Sequence, residues 1–168
     1  MVTGSSSTGL VTVTGVAPET SSIATITTTR TGYVGGSATV ADPSADYTVT
    51  NSNSAITITS YIGTGGAVTI PATIGGLPVV AIGDYAFLGC TGLTSVTIPS
   101  SVTSIWGYAF YGCSGLTELN FLGAPPQLGG YLSNSSTAIV KYPKGSGATT
   151  WVSYVGTRFG GLITQEAA

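Results

Sequence analysis

The chain has 168 residues, enough for one ordinary domain or two small ones. Charged residues make up 6% of it, hydrophobic residues 42%, and the formal net charge is -2; this excludes the charge-rich, hydrophobe-poor profile of a disordered chain and, with so few basic residues, a nucleic-acid-binding surface. No apolar run approaches the ~18 residues of a spanning helix, since the longest, residues 77–87, is broken by Pro78, Gly83 and Asp84, and no basic amphipathic stretch marks a membrane surface.

Met1-Val2-Thr3-Gly4 carries neither a basic n-region nor an apolar h-region. We therefore expect a processed or recombinant fragment, or a chain not secreted by the usual route. Residues 10–18, 23–30 and 37–40 alternate apolar residues with Thr, the period-two sign of half-buried strands. Gly15-Val16-Ala17-Pro18 and Gly32-Tyr33-Val34-Gly35-Gly36 supply turns. The segment resembles the last strands of an immunoglobulin-like or fibronectin-III-like sandwich. Gly15-Val16-Ala17-Pro18-Glu19-Thr20 fits part of the corner of the latter, with Ser22 where Tyr is expected. A complete sandwich needs about 100 residues, so residues 1–41 read as a partial one. Its apolar face and strand edges then require cover, from the neighbouring domain or from another copy of the chain.

Residues 42–46 read as a linker. Residues 47–50 and 55–59 flank Asn51-Ser52-Asn53-Ser54, which predicts a hairpin capping the rest of the chain. That remainder contains a repeat. Ile82-Gly83-Asp84-Tyr85-Ala86-Phe87-Leu88-Gly89-Cys90 recurs 23 residues later as Ile105-Trp106-Gly107-Tyr108-Ala109-Phe110-Tyr111-Gly112-Cys113, and Gly92-Leu93-Thr94 as Gly115-Leu116-Thr117. Weaker relatives flank the pair: Val68-Thr69-Ile70-Pro71 before it and Ile139-Val140-Lys141-Tyr142-Pro143 after it.

Leu93-x-x-Val96-x-Ile98 and Leu116-x-x-Leu119-x-Phe121 fit the core pattern of leucine-rich repeats, whose period is 20–29 residues. With Tyr-Ala-Phe and Gly-Cys at fixed places, the repeat resembles the BspA-like, or treponemal-type, leucine-rich repeat, over residues 47–163 if the degenerate ends are counted. The resemblance implies a bacterial or protist protein, secreted or on the cell surface, with a role in adhesion and with immunoglobulin-like modules beside the repeats. Trp106, where the other copy has Gly83, departs from the pattern. At the C-terminus Trp151, Tyr154, Val155 and Phe159 stand at helical spacing, with Thr149 placed to cap the start and Gly160 to end it, which predicts a short helix closing the solenoid.

The expected fold is thus mainly β: a short leucine-rich-repeat solenoid with an irregular or short helical convex side and a C-terminal capping helix, preceded by the partial β-sandwich segment. Residues 47–168 form the repeat domain.

The chain has no His, which removes the commonest general base and metal ligand. No nucleophile elbow, P-loop or dinucleotide fingerprint occurs. We expect no enzyme activity, no cofactor and no metal. Asp42 and Asp46 can be read as a calcium pair at a junction but fit a solvated linker better. Cys90 and Cys113 share one repeat position. Adjacent strands are near enough for a disulfide, yet stacked side chains point the same way, so two small buried hydrophobes are the better reading. Tyr85, Phe87, Leu93, Tyr108, Phe110 and Leu116 read as stacked core. Trp106 and Tyr111 are unrepeated aromatics of the kind enriched in contact hot spots, weighed against local repacking. Residues between the core positions of each strand line the concave face: Thr69, Ser95, Thr97, Glu118 and Asn120. Asn134-Ser135-Ser136 satisfies the N-glycosylation pattern, which arises often by chance in Ser-rich chains.

The surface must be covered by Ser, Thr, Asn and Gly, and so lacks the charge repulsion that keeps molecules apart. The expected function is non-catalytic contact outside the cytoplasm. Its partners are other subunits in a fibre or surface layer, joined through residues 1–41, or an extracellular ligand in adhesion. The alternative is a glycan-binding module that uses exposed aromatics.

Overall fold

The computed structural model describes residues 23–28, 36–41, 43–144, 148–155 and 157–168. The chain forms two compact units, Met1–Asp42 and Pro43–Ala168. In the first, β1 (Ile23–Thr28) and β2 (Gly36–Ala41) pair antiparallel, Ile23 opposite Ala41 and Thr28 opposite Gly36. The strand expected over residues 10–18 and the position of Asp42 lie outside the described residues, so the immunoglobulin-like reading rests on sequence alone.

The second unit opens with a 3-10 turn (Pro43–Asp46) and the hairpin β3 (Tyr47–Ser52) and β4 (Ala55–Tyr61). Its two-residue turn, Asn53-Ser54, has φ of 52° and 60°, the positive pair that matches strand twist in a tight hairpin. The chain then winds through β5 (Gly66–Thr69), β6 (Thr73–Ile74), β7 (Leu77–Ile82), β8 (Leu93–Ile98), β9 (Ser104–Ile105), β10 (Glu118–Phe121), β11 (Gln127–Leu128) and β12 (Ile139–Tyr142). It closes with α1 (Ala148–Trp151), a 3-10 turn (Val152–Tyr154), β13 (Arg158–Phe159) and β14 (Leu162–Glu166).

Successive strands alternate between two sheets. One runs β3-β4-β7-β9-β11 and the other β5-β8-β10-β12-β14-β13. The result is a β-solenoid of about five turns with almost no helix. The repeat spacing explains it. In β8, Leu93, Val96 and Ile98 are buried while Thr94 is exposed and Ser95 and Thr97 are half-buried. Parallel pairing then stacks like on like: Val68, Val96, Leu119 and Val140 form one row, and Ile58, Ile82, Ile105 and Leu128 another in the opposite sheet. Each buried Val, Leu, Ile or Phe side chain contributes roughly 1.5–3 kcal/mol, so a row shared by several coils holds them in register.

The third side consists of turns, residues 84–89 and 107–112. Backbone bonds still tie coil to coil there: Phe87 N–H donates to Ala109 O at 2.7 Å and Gly89 N–H to Tyr111 O at 2.8 Å. Inside it, the rings of Tyr61, Phe87 and Phe110 stack with centroids 5.0 and 4.8 Å apart. Gly115 permits the coil spacing, since a Cβ there would lie 2.4 Å from Thr91 O.

The expected capping helix is corrected by the structure. Trp151 ends a single helical turn, and Phe159 is in a strand. Gly160 and Gly161, at φ 58° and 89°, make a tight turn that pairs Phe159 with Leu162. Val155, expected on the helix's apolar face, is exposed. The cap is an aromatic plug beneath a hairpin. Trp151 is fully buried, its ring 5.4 Å from Tyr142 and 4.9 Å from Phe159, and its Nε1–H donates to Gly123 O at 2.9 Å.

Candidate contact surfaces

The polar residues expected on the concave face lie on the outer side of one sheet. Ser95 pairs with Glu118 across β8 and β10. Thr69, Thr97, Asn120 and Lys141 form one row across four strands. Lys141 was not among the expected residues; its place in the decayed fourth copy, in register with Asn120, was the available signal. Its Nζ pairs with Glu118 Oε2, the one ion pair among the described residues. That ammonium lowers the Glu118 carboxyl below its ordinary range. Beside the pair, Thr97, Asn120, Phe121, Leu122, Lys141, Pro143 and Ala167 enclose a hollow of about 320 Å³.

Trp106 and Tyr111 belong elsewhere. Trp106 follows β9 in the other sheet, and Tyr111 sits in the turn 107–112. The sequence therefore named two surfaces as one. Trp106 is 52% exposed and Tyr111 42%.

Tyr85 and Tyr108 are exposed beside Tyr111, which corrects their expected place in the core. Their φ values, 54° and 57°, put them in the left-handed region, where the backbone sends the Tyr side chain outward while the next two residues, Ala86-Phe87 and Ala109-Phe110, turn in and are buried. The two outer rings stack 5.6 Å apart at 15°, and Tyr111 meets Tyr108 edge-on at 5.8 Å. Tyr131, exposed and missed in the sequence, stands 23 residues after Tyr108, and its carbonyl accepts the Tyr108 N–H at 2.7 Å. The same repeat offset was its signal.

Next to Tyr111, Gly112, Ser114, Asn134, Ser135, Ser136 and Thr137 line a second hollow of about 210 Å³. The exposed Asn134 of the glycosylation pattern accepts the Gly112 N–H on its Oδ1 at 2.8 Å. It thereby replaces the backbone carbonyl that serves Gly89 one coil earlier.

Both cysteines are free thiols. Cys113 is buried and its Sγ–H donates to Phe87 O at 3.0 Å. Burial, with the Cys90 thiol beside it, pushes its pKa up to about 12, and burial also raises that of Cys90. Asp46 is exposed, and no group of three or more metal-ligating side chains occurs among the described residues. Among them no helix is long and apolar enough to cross a membrane.

Comparison with known proteins bears on the repeat. No curated protein matches the chain. Among solved structures it is similar to a leucine rich repeat protein of T. pallidum, with 24% identity, 74% of this chain and 64% of that one covered, and a TM-score of 0.47. It is also similar to a leucine rich cell surface protein of Faecalibacterium prausnitzii A2-165, with 30% identity, 72% and 30% covered, and a TM-score of 0.43. The chain thus spans less than two thirds of the length of either. A family model described as the BspA type leucine rich repeat region matches residues 68–144 in six copies. Over those residues, less than half of the chain, the solenoid is similar to the leucine-rich repeats of the BspA type.

Proposed function

We propose that the protein is a non-catalytic contact protein, acting outside the cell or at its surface, and that its contact is self-assembly through residues 1–41. The repeat family supports contact rather than chemistry. The observation that carries assembly is the pairing of β1 and β2 with nothing but each other among the described residues. A lone two-stranded hairpin is marginal in water. Neither strand carries a charge or a proline to blunt its edge, and a strand from a second copy completes such a sheet by edge addition. Head-to-tail addition that does not close gives a filament. Electron microscopy of the whole chain and of a chain lacking residues 1–41 tests this. Polymers should form from the first only, with the β circular dichroism of the repeats kept in both. A truncated chain that still assembles, or a full chain that stays monomeric at every concentration, sinks the assembly reading; the monomeric outcome leaves adhesion as the contact.

A second reading, glycan binding, is favoured by one observation. Trp106 and Tyr111 stand in the open, as do Tyr85, Tyr108 and Tyr131.

A further inference from the structure

We infer that the open edge of β5 is where one copy of the chain receives the β1–β2 hairpin of the next. The inference rests on the assembly reading and names the acceptor surface for it.

The two sheets of the solenoid end unevenly. β5 and β7 belong to one coil. Beyond that coil one sheet runs on for two strands, β4 and β3, while the other stops at β5. One side is therefore two strands short. The β1–β2 hairpin, which pairs with nothing else among the described residues, has the two strands that are missing.

Burial shows the same bare end. Val96, Leu119 and Val140 are fully buried, but Val68, at the β5 end of their row, is only half-buried. In the opposite sheet the row continues to Ile58, which is fully buried and pairs with Val49 of β3 near that end. Ile62, in the link from β4 to β5, is 66% exposed. The hairpin offers a face of the right kind. Its register puts Ala24, Ile26, Ala38 and Val40 on one side and Thr25, Thr27, Ser37 and Thr39 on the other. Apolar residues on one side and Ser and Thr on the other is also the pattern of β8.

The edge itself is ready to pair. Gly66 N–H donates to Gly92 O at 2.8 Å and Ile70 N–H to Thr97 O at 3.0 Å, both on the β8 side. Alternate residues of a strand bond to opposite sides, so the N–H groups of Ala67 and Thr69 point to the open edge. Gly66–Thr69 holds no charge and no proline. The other edges are guarded. β11 and β13 are two residues long, and β13 carries Arg158. β3 is bulged between Thr48 and Val49. Short, charged and bulged edges resist strand addition. An acceptor at one place and a donor at another make the contact head-to-tail.

The test uses the whole chain. The variant Ala67→Pro/Thr69→Pro removes the two outward N–H groups and keeps the bonds to β8. It should leave the melting temperature unchanged and raise the concentration at which polymers pellet at least about tenfold, or ~1.4 kcal/mol. An unchanged pelleting threshold overturns the inference and leaves assembly through residues 1–41 standing. A parent chain that never forms polymers overturns both. Should the variant melt early, a cross-link decides instead. Benzoylphenylalanine in place of Ala67 is irradiated in polymers mixed from ¹⁵N-labelled and unlabelled copies. It should join peptides from residues 23–41, in isotope-mixed pairs. Joining to any other segment, or only within one isotope, overturns the inference.

Discussion

The Cys113 thiol donates to the carbonyl of Phe87, 3.0 Å away. One coil later the Ser133 hydroxyl donates to the carbonyl of Phe110 at the same 3.0 Å. Both donors are buried, and both satisfy an acceptor next to a stacked ring. The Phe87 carbonyl also accepts the Cys90 N–H at 3.4 Å, so it keeps one donor, and losing the thiol's hydrogen bond costs about 0.5–1.5 kcal/mol. We expect Cys113→Ala to lower stability by about that amount in urea unfolding. Cys113→Ser, which copies the next coil, should stay within about 1 kcal/mol of the parent. Equal losses in the two variants would show that volume, not the donor, is what the site needs.

The same thiol gives an alkaline limit. Its pKa is raised to about 12 in the fold, so the unfolded chain releases the proton at lower pH. Its contribution is full below the ordinary thiol value of 9.0 and is lost as pH rises toward 12. The urea midpoint should therefore fall across that window, and fall less in Cys113→Ser. An identical pH slope in parent and variant would assign the loss to other groups.

The Glu118–Lys141 pair should contribute little. Both side chains keep contact with solvent, at 26% and 32% exposure, and pairs of that kind are worth roughly 0–1 kcal/mol. Glu118 has a lowered pKa, so its contribution is present above the ordinary carboxyl range and is lost as pH falls through the folded value. Glu118→Gln should cost less than about 1 kcal/mol near neutrality, and less still in strong salt. Thermal melts at two salt concentrations check this.

Trp151 should matter far more. Trp151→Ala removes the buried centre of the C-terminal plug, at a cost of about 3–5 kcal/mol. Trp151→Phe keeps a ring but strips Gly123 O of its donor, for a loss of about 1 kcal/mol. Urea unfolding followed by circular dichroism ranks the two.

The rows built on Leu93, Val96 and Ile98 were legible because their spacing states which side of a strand they take. Tyr85 and Tyr108 were not. Residues recurring at one offset share an environment, but recurrence does not say whether that environment is inside or outside; here the sign of φ decides. The C-terminal cap misled differently. Trp151, Tyr154 and Phe159 match a helical period by accident of a hairpin, and Gly160-Gly161 was the better guide, since two glycines between apolar runs signal a tight turn. Gly75-Gly76, both at positive φ, do the same between β6 and β7. The hydrogen-bonding role of Asn134 has no sequence signature, because it replaces a backbone carbonyl and not another side chain.

The rows of like side chains have a consequence for how such a molecule changes length. Each coil meets its neighbours through the same rows, from Val68 to Val140 and from Ile58 to Leu128, while Tyr47 packs on Tyr61 and Phe87 towards one end and Trp151 on Phe121 and Tyr142 towards the other. A duplicated 23-residue cassette would enter as one more rung, lengthening the body by about 4.8 Å, with the outer tyrosine carried along. Gene slippage alone could thus lengthen or shorten the body in equal steps, as marks are added to a ruler.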